Sequence, residues 1–258
     1  MRSTDQIWEV GGLTVDSSDD LRDHGVTVMR DLEASACFAA GTLLHTQGGL
    51  KPIEKIQVGD MVLSKHESGE GERAYKRVTK TFVHEDEVLV SLGYGEWDDD
   101  KGTVWGERLL VTPNHPIWVE GKGWKEAGTM RSTLKPTKLE TLEGSNVRSG
   151  YAFKLYSTTT PNIAWMLKTF TNSGLGYKGS LFDVTQNKQV MDEANPGCSK
   201  SAFWGDDRGL SGAKPGKEHL YRARVYNLEV EDFHTYYVGK HGVWVHNKNL
   251  QVKLKMSG

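Results

Sequence analysis

The chain has two thiols in 258 residues, Cys37 and Cys198. Cys37 follows the small residues Ala34, Ser35 and Ala36 and opens the stretch "CFAAGTLLHT". A thiol is the most nucleophilic side chain near neutral pH. Three further blocks carry groups that exchange protons or stabilise charge. "TPNH" sets Thr112 and His115 on one turn before Pro116, "VYNLEVEDFHTYYV" contains Asn227 and His234, and "VWVHN" ends on His246 and Asn247. Imidazole titrates near pH 7 and suits general acid–base work, while a hydroxyl suits an amide or a developing oxyanion. Each residue alone also has an ordinary reading. A lone cysteine at a strand start is usually a small buried hydrophobe. A histidine in a proline-flanked turn usually serves the turn. His234 beside an aromatic strand is ordinarily a half-buried, satisfied side chain, and His-Asn is common loop composition. It is the four blocks together, in this order, that point to chemistry.

Such residues need a frame, and the sequence describes one. From Cys37 onward, short β-rich runs alternate with glycine turns. "TLLHT" runs into "QGGL", "MVLSK" follows "QVGD", and then come "KRVTKTFV", "EVLVSL", "RLLVTPNHPIWVE" closed by "GKG", "YAFKLYS", "RARVYNLEV", and "HTYYV" joined to "VWVHN" by "GKHG". Few segments show a 3.6-residue apolar period, so the predicted fold class is all-β, a barrel, sandwich or similar closed architecture. Residues 1–36 read as an acidic flank in which "SSDDLRDHGVTVMRDLEAS" predicts a short helix capped by Ser18 or Asp19. Residues about 132–220 read as an insertion of strands and long loops, with Cys198 structural or incidental. Residues 248–258 read as a second flank. No internal repeat is visible.

Composition excludes several classes. Basic and acidic residues number 32 and 34, giving a net charge of -2 without a basic footprint for nucleic acid. Mean hydropathy is -0.54, and no apolar run approaches the ~18 residues of a membrane helix. "MRSTDQIWEVGG" lacks the apolar core of a signal peptide, so the reading is a soluble chain of unassigned location. Two cysteines make neither a disulfide framework nor a metal-ligand set. Two free thiols are favoured over a Cys37–Cys198 bridge. No cofactor or metal motif is present.

Taken together, the blocks resemble the Hint superfamily, the self-processing domain of inteins, bacterial intein-like proteins and pretoxins. "CFAAGTLLHTQGGLKPIEKIQVGDMVLS" is similar to its opening block, "TPNHPIWV" to its Thr-x-x-His block, and "VYNLEVEDFHTYYVGKHGVWVHN" to its two closing blocks. The resemblance spans residues 37–247. It implies a flattened, horseshoe-like all-β Hint fold with pseudo-twofold symmetry, in which both chain ends meet at one site.

It also implies a mechanism. Cys37 Sγ attacks the Ala36 carbonyl and converts the amide into a thioester through a five-membered ring. His115 protonates the departing Cys37 amine, and Thr112 holds the scissile amide or the oxyanion. At the far end the Asn247 side-chain nitrogen attacks its own backbone carbonyl, forming a succinimide and breaking the bond to Lys248. His246 polarises that carbonyl or protonates the amine, and His234 orients the Asn247 amide or takes its proton. This is single-turnover autocatalysis on the chain's own flanks rather than multi-turnover catalysis, and it needs no cofactor.

Two positions depart from splicing relatives. Splicing inteins usually carry Cys, Ser or Thr after the terminal Asn, where this chain has Lys248, and often carry Asp where this chain has Asn227. Both departures disfavour splicing and leave cleavage possible. The insertion shows no "LAGLIDADG"-like helix, so no homing endonuclease is expected. Three readings stand: cleavage at one or both junctions, splicing that tolerates Lys248, and an inactive Hint fold used as a binding module. The expected partners are the flanking polypeptides, with a C-terminal toxin or host protein outside this chain as the released segment.

Overall fold

The structure is a computed structural model that describes residues 8–10, 13–15, 26–27, 35–98, 103–130, 136–142, 146–158, 160–170, 177–194, 220–247 and 255–256. The chain divides into two compact units, residues 1–33 with 250–258, and residues 34–249. In the first, β1 (Trp8–Val10) pairs with β2 (Leu13–Val15), and β3 (Val26–Thr27) pairs with β21 (Lys255–Met256), both antiparallel. The short helix expected over this flank falls mostly outside the described residues, and Val26–Thr27 within it is strand.

The second unit is all-β among its described residues, apart from two single-turn 3-10 helices. Its strands are β4 (Phe38–Ala39), β5 (Leu43–Thr46), β6 (Gly49–Pro52), β7 (Met61–Ser64), β8 (Ala74–Val88), β9 (Val90–Asp98), β10 (Thr103–Val111), β11 (Pro116–Val119) and β12 (Gly123–Glu126). They continue as β13 (Thr137–Lys138), β14 (Val147–Ser157), β15 (Ile163–Phe170), β16 (Tyr177–Asp183), β17 (Lys188–Ala194), β18 (Arg222–Val230), β19 (Thr235–Val238) and β20 (Val243–His246). The pairings between them are antiparallel, and period-2 alternation sets their faces: Val62 and Ser64 are buried on β7, Ile117 and Val119 on β11.

A repeated unit frames the site. β5 and β6 form a hairpin that runs into a 3-10 turn, Ile53–Lys55; β11 and β12 form a hairpin that runs into another, Ala127–Thr129. The backbone hydrogen bonds correspond. Ile53 N donates to Thr42 O at 2.8 Å, and Ala127 N donates to His115 O at 2.9 Å. Thr42 N returns to Ala39 O at 3.4 Å, and His115 N to Thr112 O at 3.2 Å. The β19–β20 hairpin lies between the two copies, Val238 opposite Leu44 and Val245 opposite Ile117. The internal symmetry is therefore one of backbone and burial, which explains why no repeat is visible in the sequence.

The region read as strands and loops contains β13 to β17, of which β14 to β17 form an antiparallel meander. Its Leu155, Ala164, Met166 and Phe182 join Cys37, Ala39, Leu89, Leu110 and Val225 in a buried apolar cluster. A larger cluster on the other face gathers Phe38, Leu44, Val62, Leu92, Ile117, Leu228, Tyr236 and Val245. Alternation along one strand thus sends Phe38 to one core and Cys37 to the other. Cys198 lies outside the described residues, and Cys37 is a free thiol.

Candidate active site

Cys37 sits one residue ahead of β4, which is hydrogen-bonded on both edges. Val111 of β10 opposes Phe38 on one side, and Tyr226 of β18 opposes it on the other. Continuing each register by one residue sets Thr112 and Asn227 on either side of Cys37. The first neighbour is locked: Cys37 N donates to Thr112 Oγ1 at 2.9 Å, Thr112 N donates to Cys37 O at 2.9 Å, and Thr112 Oγ1 reaches Cys37 O at 3.3 Å. The threonine hydroxyl is therefore seated on the amide nitrogen of the Ala36–Cys37 bond, with Thr112, Cys37 and Ala36 all buried.

His115 comes in from the same turn. It is fully buried, its ring 4.1 Å from that of Phe38. Burial, then the charge of His246, push its imidazole down to about 3, against a smaller opposing pull from the Ala36 backbone. That Ala36 approach falls short of a well-formed hydrogen bond, since neither His115 ring nitrogen has a partner in bonding geometry. The ring is thus neutral, adjacent to the junction and uncommitted. The thiol is also uncharged: burial among apolar side chains pushes Cys37 up to about 12, a Ser35 hydrogen bond opposes the rise, and nearby Glu87 adds to it. Ser35 Oγ in turn donates to Glu87 Oε1 at 2.9 Å.

The second neighbour, Asn227, is held as an amide. Its Oδ1 accepts from Leu228 N and from the Tyr236 hydroxyl, each at 2.8 Å. Tyr236 is buried, and burial together with the nearby Cys37 raises its phenol well above the ordinary value.

The other end of the domain arrives by register. Ile117 on β11 opposes Val245 on β20, so the next pairs outward are Pro116 with His246 and His115 with Asn247. Asn247 is buried, and its N donates to His234 O at 2.9 Å; with the side-chain amide turned as its neighbours require, Nδ2 donates to the same carbonyl at 2.6 Å and Oδ1 accepts from Val230 N at 2.9 Å. His234 turns that carbonyl inward with a left-handed φ of 55°, uncommon for a non-glycine residue. It touches Asn247 through its backbone, whereas its side chain is exposed. His246 Nε2 lies 2.7 Å from Glu67 Oε2, and the Trp124 ring stands edge-on to the imidazole at 5.1 Å. Trp118, Trp124 and Trp244 pack together beneath it with ring centres 4.8 to 5.0 Å apart.

The structure thus gathers Cys37, Thr112 and His115, and brings the His246–Asn247 end of β20 to the same turn. Lys248 lies outside the described residues. Sequence reasoning missed Tyr236, Glu67, Ser35 and Glu87. Tyr236 is legible only as an inward position of "HTYYV", and Glu67 sits in the polar loop "KHESGEGE", whose composition signals solvent.

The all-β unit therefore has a buried thiol near its start and a buried asparagine near its end. The pretoxin HINT domain model matches residues 43–145, so this part of the chain is similar to the Hint superfamily. Solved structures with a similar arrangement include the bacterial intein-like domain from Clostridium thermocellum, at 25% identity over 83% of this chain and 100% of that one, with a TM-score of 0.49. The MchDnaB-1 intein is 15% identical over 81% and 99%, at a TM-score of 0.42. The DnaB intein from Synechocystis sp. PCC 6803 is 11% identical over 83% and 100%, at 0.39. No curated protein sequence matches. Among the described residues no helix is long and apolar enough to cross a membrane.

Proposed function

We propose that this domain cuts itself out of its flanks, through an N–S acyl shift at Ala36–Cys37 whose thioester is then broken by water or an added thiol, and through cyclisation of Asn247 with cleavage before Lys248. The observation that carries the reading is the 2.9 Å contact of Thr112 Oγ1 on Cys37 N beside the buried His115. In the first step the Cys37 Sγ–C bond to the Ala36 carbonyl forms, the C–N bond to Cys37 breaks, and a proton arrives on the freed amine. The thiol supplies one proton and the amine takes one, so a neutral imidazole next to the junction can relay it. Thr112, anchored from both of its own backbone and side-chain groups, holds the nitrogen in place while its geometry changes.

At the other junction the Asn247 Nδ2–C bond forms as the C–N bond to Lys248 breaks. The His234 carbonyl, which accepts from Nδ2, fixes the attacking amide and makes it more nucleophilic. Splicing is the second reading. It requires an acceptor after Asn247, and the Lys248 side chain is a poor substitute for a thiol or hydroxyl in transesterification. The Asn227 amide, satisfied by two donors, carries no charge to coordinate the two steps.

Intact mass of the full chain over time, beside Cys37→Ala and Asn247→Ala, tests the reading. New polypeptides beginning at Cys37 and at Lys248 are expected, the first lost in Cys37→Ala and the second in Asn247→Ala. A peptide joining Ala36 to Lys248 would establish splicing instead. A single unprocessed mass at all times, with thiol added, would leave the fold as a binding module.

A further inference from the structure

The penultimate histidine has a carboxylate partner that belongs to none of the four blocks. His246 Nε2 and Glu67 Oε2 are 2.7 Å apart, across a loop between β7 and β8. That loop is built rather than draped. Trp124 Nε1 donates to Glu67 O at 3.1 Å while its ring faces His246. Lys65 N donates to Thr235 Oγ1 at 3.3 Å, and Ser64 Oγ donates to Thr235 O at 2.7 Å; Thr235 is the cross-strand partner of His246. Gly69 takes a φ of 83°, with the Trp118 ring 3.2 Å from where a Cβ would stand. The loop is thus fastened to β19 and to the β11–β12 hairpin, which flank the strand that carries the histidine.

We propose that Glu67 is a positioning residue for the C-terminal cleavage, holding the Nε2–H of His246 so that Nδ1 is the ring atom that works on the Asn247–Lys248 bond. The proposal rests on the cleavage reading above. A carboxylate accepts but cannot donate, so the neutral imidazole keeps its proton on Nε2 and its lone pair on Nδ1. Protonated, the same ring offers Nδ1–H to the departing Lys248 nitrogen as the Asn247 C–N bond breaks, and the Asn247 Nδ2 proton balances the exchange. The adjacent carboxylate favours that charged form. Other ionisable groups near the ring include His115, neutral on the Thr112 turn, and Lys65, whose ammonium is paired with Glu140 at 3.2 Å and lies over Trp244.

Two measurements on the full chain test it. In an Asn247→Ala background, which holds the C-terminal junction intact, 15N NMR of the histidines should show His246 as the Nε2–H tautomer, with a titration midpoint that falls on Glu67→Gln. In a Cys37→Ala background, release of the polypeptide beginning at Lys248 should slow by about tenfold or more on Glu67→Gln, with the pH–rate profile moved to lower pH. An Nδ1–H tautomer, or a glutamine variant with unchanged tautomer and profile whatever its rate, overturns the proposal. A Cys37→Ala chain that never releases Lys248 overturns the cleavage reading instead, and the NMR result still decides the role of Glu67.

Discussion

The two hairpin units of this domain share a backbone and differ in what closes them. In the first, the turn Ala39–Thr42 is finished by Thr42, whose buried Oγ1 donates to Ala39 O at 2.8 Å. In the second, the turn Thr112–His115 puts a hydroxyl where the first has the methyl of Ala39, and an imidazole where the first has Thr42. The threonine at its start is turned onto Cys37 N, and the histidine at its end is buried with both nitrogens unbonded. One copy satisfies itself; the other leaves polar atoms directed at the junction. Burial of an unpaired polar ring costs stability, and the proposed chemistry gives the second copy a use for that ring which the first copy lacks.

The most direct way to break this contrast is to make the second turn resemble the first. His115→Thr should abolish N-terminal thioester formation, by about a hundredfold to ten-thousandfold, the range set by loss of a general acid–base group. The check is thiol-induced release of residues 1–36 followed by mass, with folding confirmed by near-UV circular dichroism. Release at the normal rate would mean the imidazole does not move the proton.

The contrast also has a pH signature. His115 sits at about 3 in the folded domain against 6.5 when unfolded. Between these values the unfolded chain binds a proton that the folded domain refuses. The stability tied to the neutral ring is therefore complete above about pH 6.5 and is lost as pH falls toward 3, on the order of a few kcal/mol. Urea melts of Cys37→Ala between pH 7.5 and 4.5 should show this fall. Adding His115→Thr should flatten it, since Thr does not titrate. Parallel curves for the two proteins would show that the acid loss comes from carboxylates.

Much of this arrangement is legible in the sequence, for identifiable reasons. Strands such as "MVLS" and "PIWV" alternate cleanly because one face meets the core, and the glycine turns between them are local chemistry. Cys37, Thr112, His115, His246 and Asn247 stand out through their order along the chain. What escaped is what only pairing creates. Asn227 is a candidate from "VYNLEV", but its place beside Cys37 comes only from the β4–β18 register. Tyr236 on β19 reaches back to Asn227 on β18 over the turn that joins the two strands, and Glu67 finds His246 from a loop that reads as solvent-exposed. His234 is read as orienting the Asn247 amide or taking its proton, and the left-handed turn at this residue presents its backbone carbonyl, not its exposed ring, to Asn247.

The smallest test asks whether the first copy is as purely structural as its geometry indicates. Thr42→Val keeps the shape and removes the hydroxyl that donates to Ala39 O, an oxygen that also accepts the long 3.4 Å bond from the residue 42 amide. The cost should be about 1 kcal/mol, a modest downward shift in the urea midpoint at pH 7.5. Processing at both junctions should stay within about twofold, because Thr42 contacts neither Cys37 nor Asn247 through its side chain. The two turns are related by backbone alone, so a loss confined to stability in one and to rate in the other is the outcome their different side chains require. A drop in processing on Thr42→Val larger than its stability cost would mean the copies are coupled across the β19–β20 hairpin that lies between them.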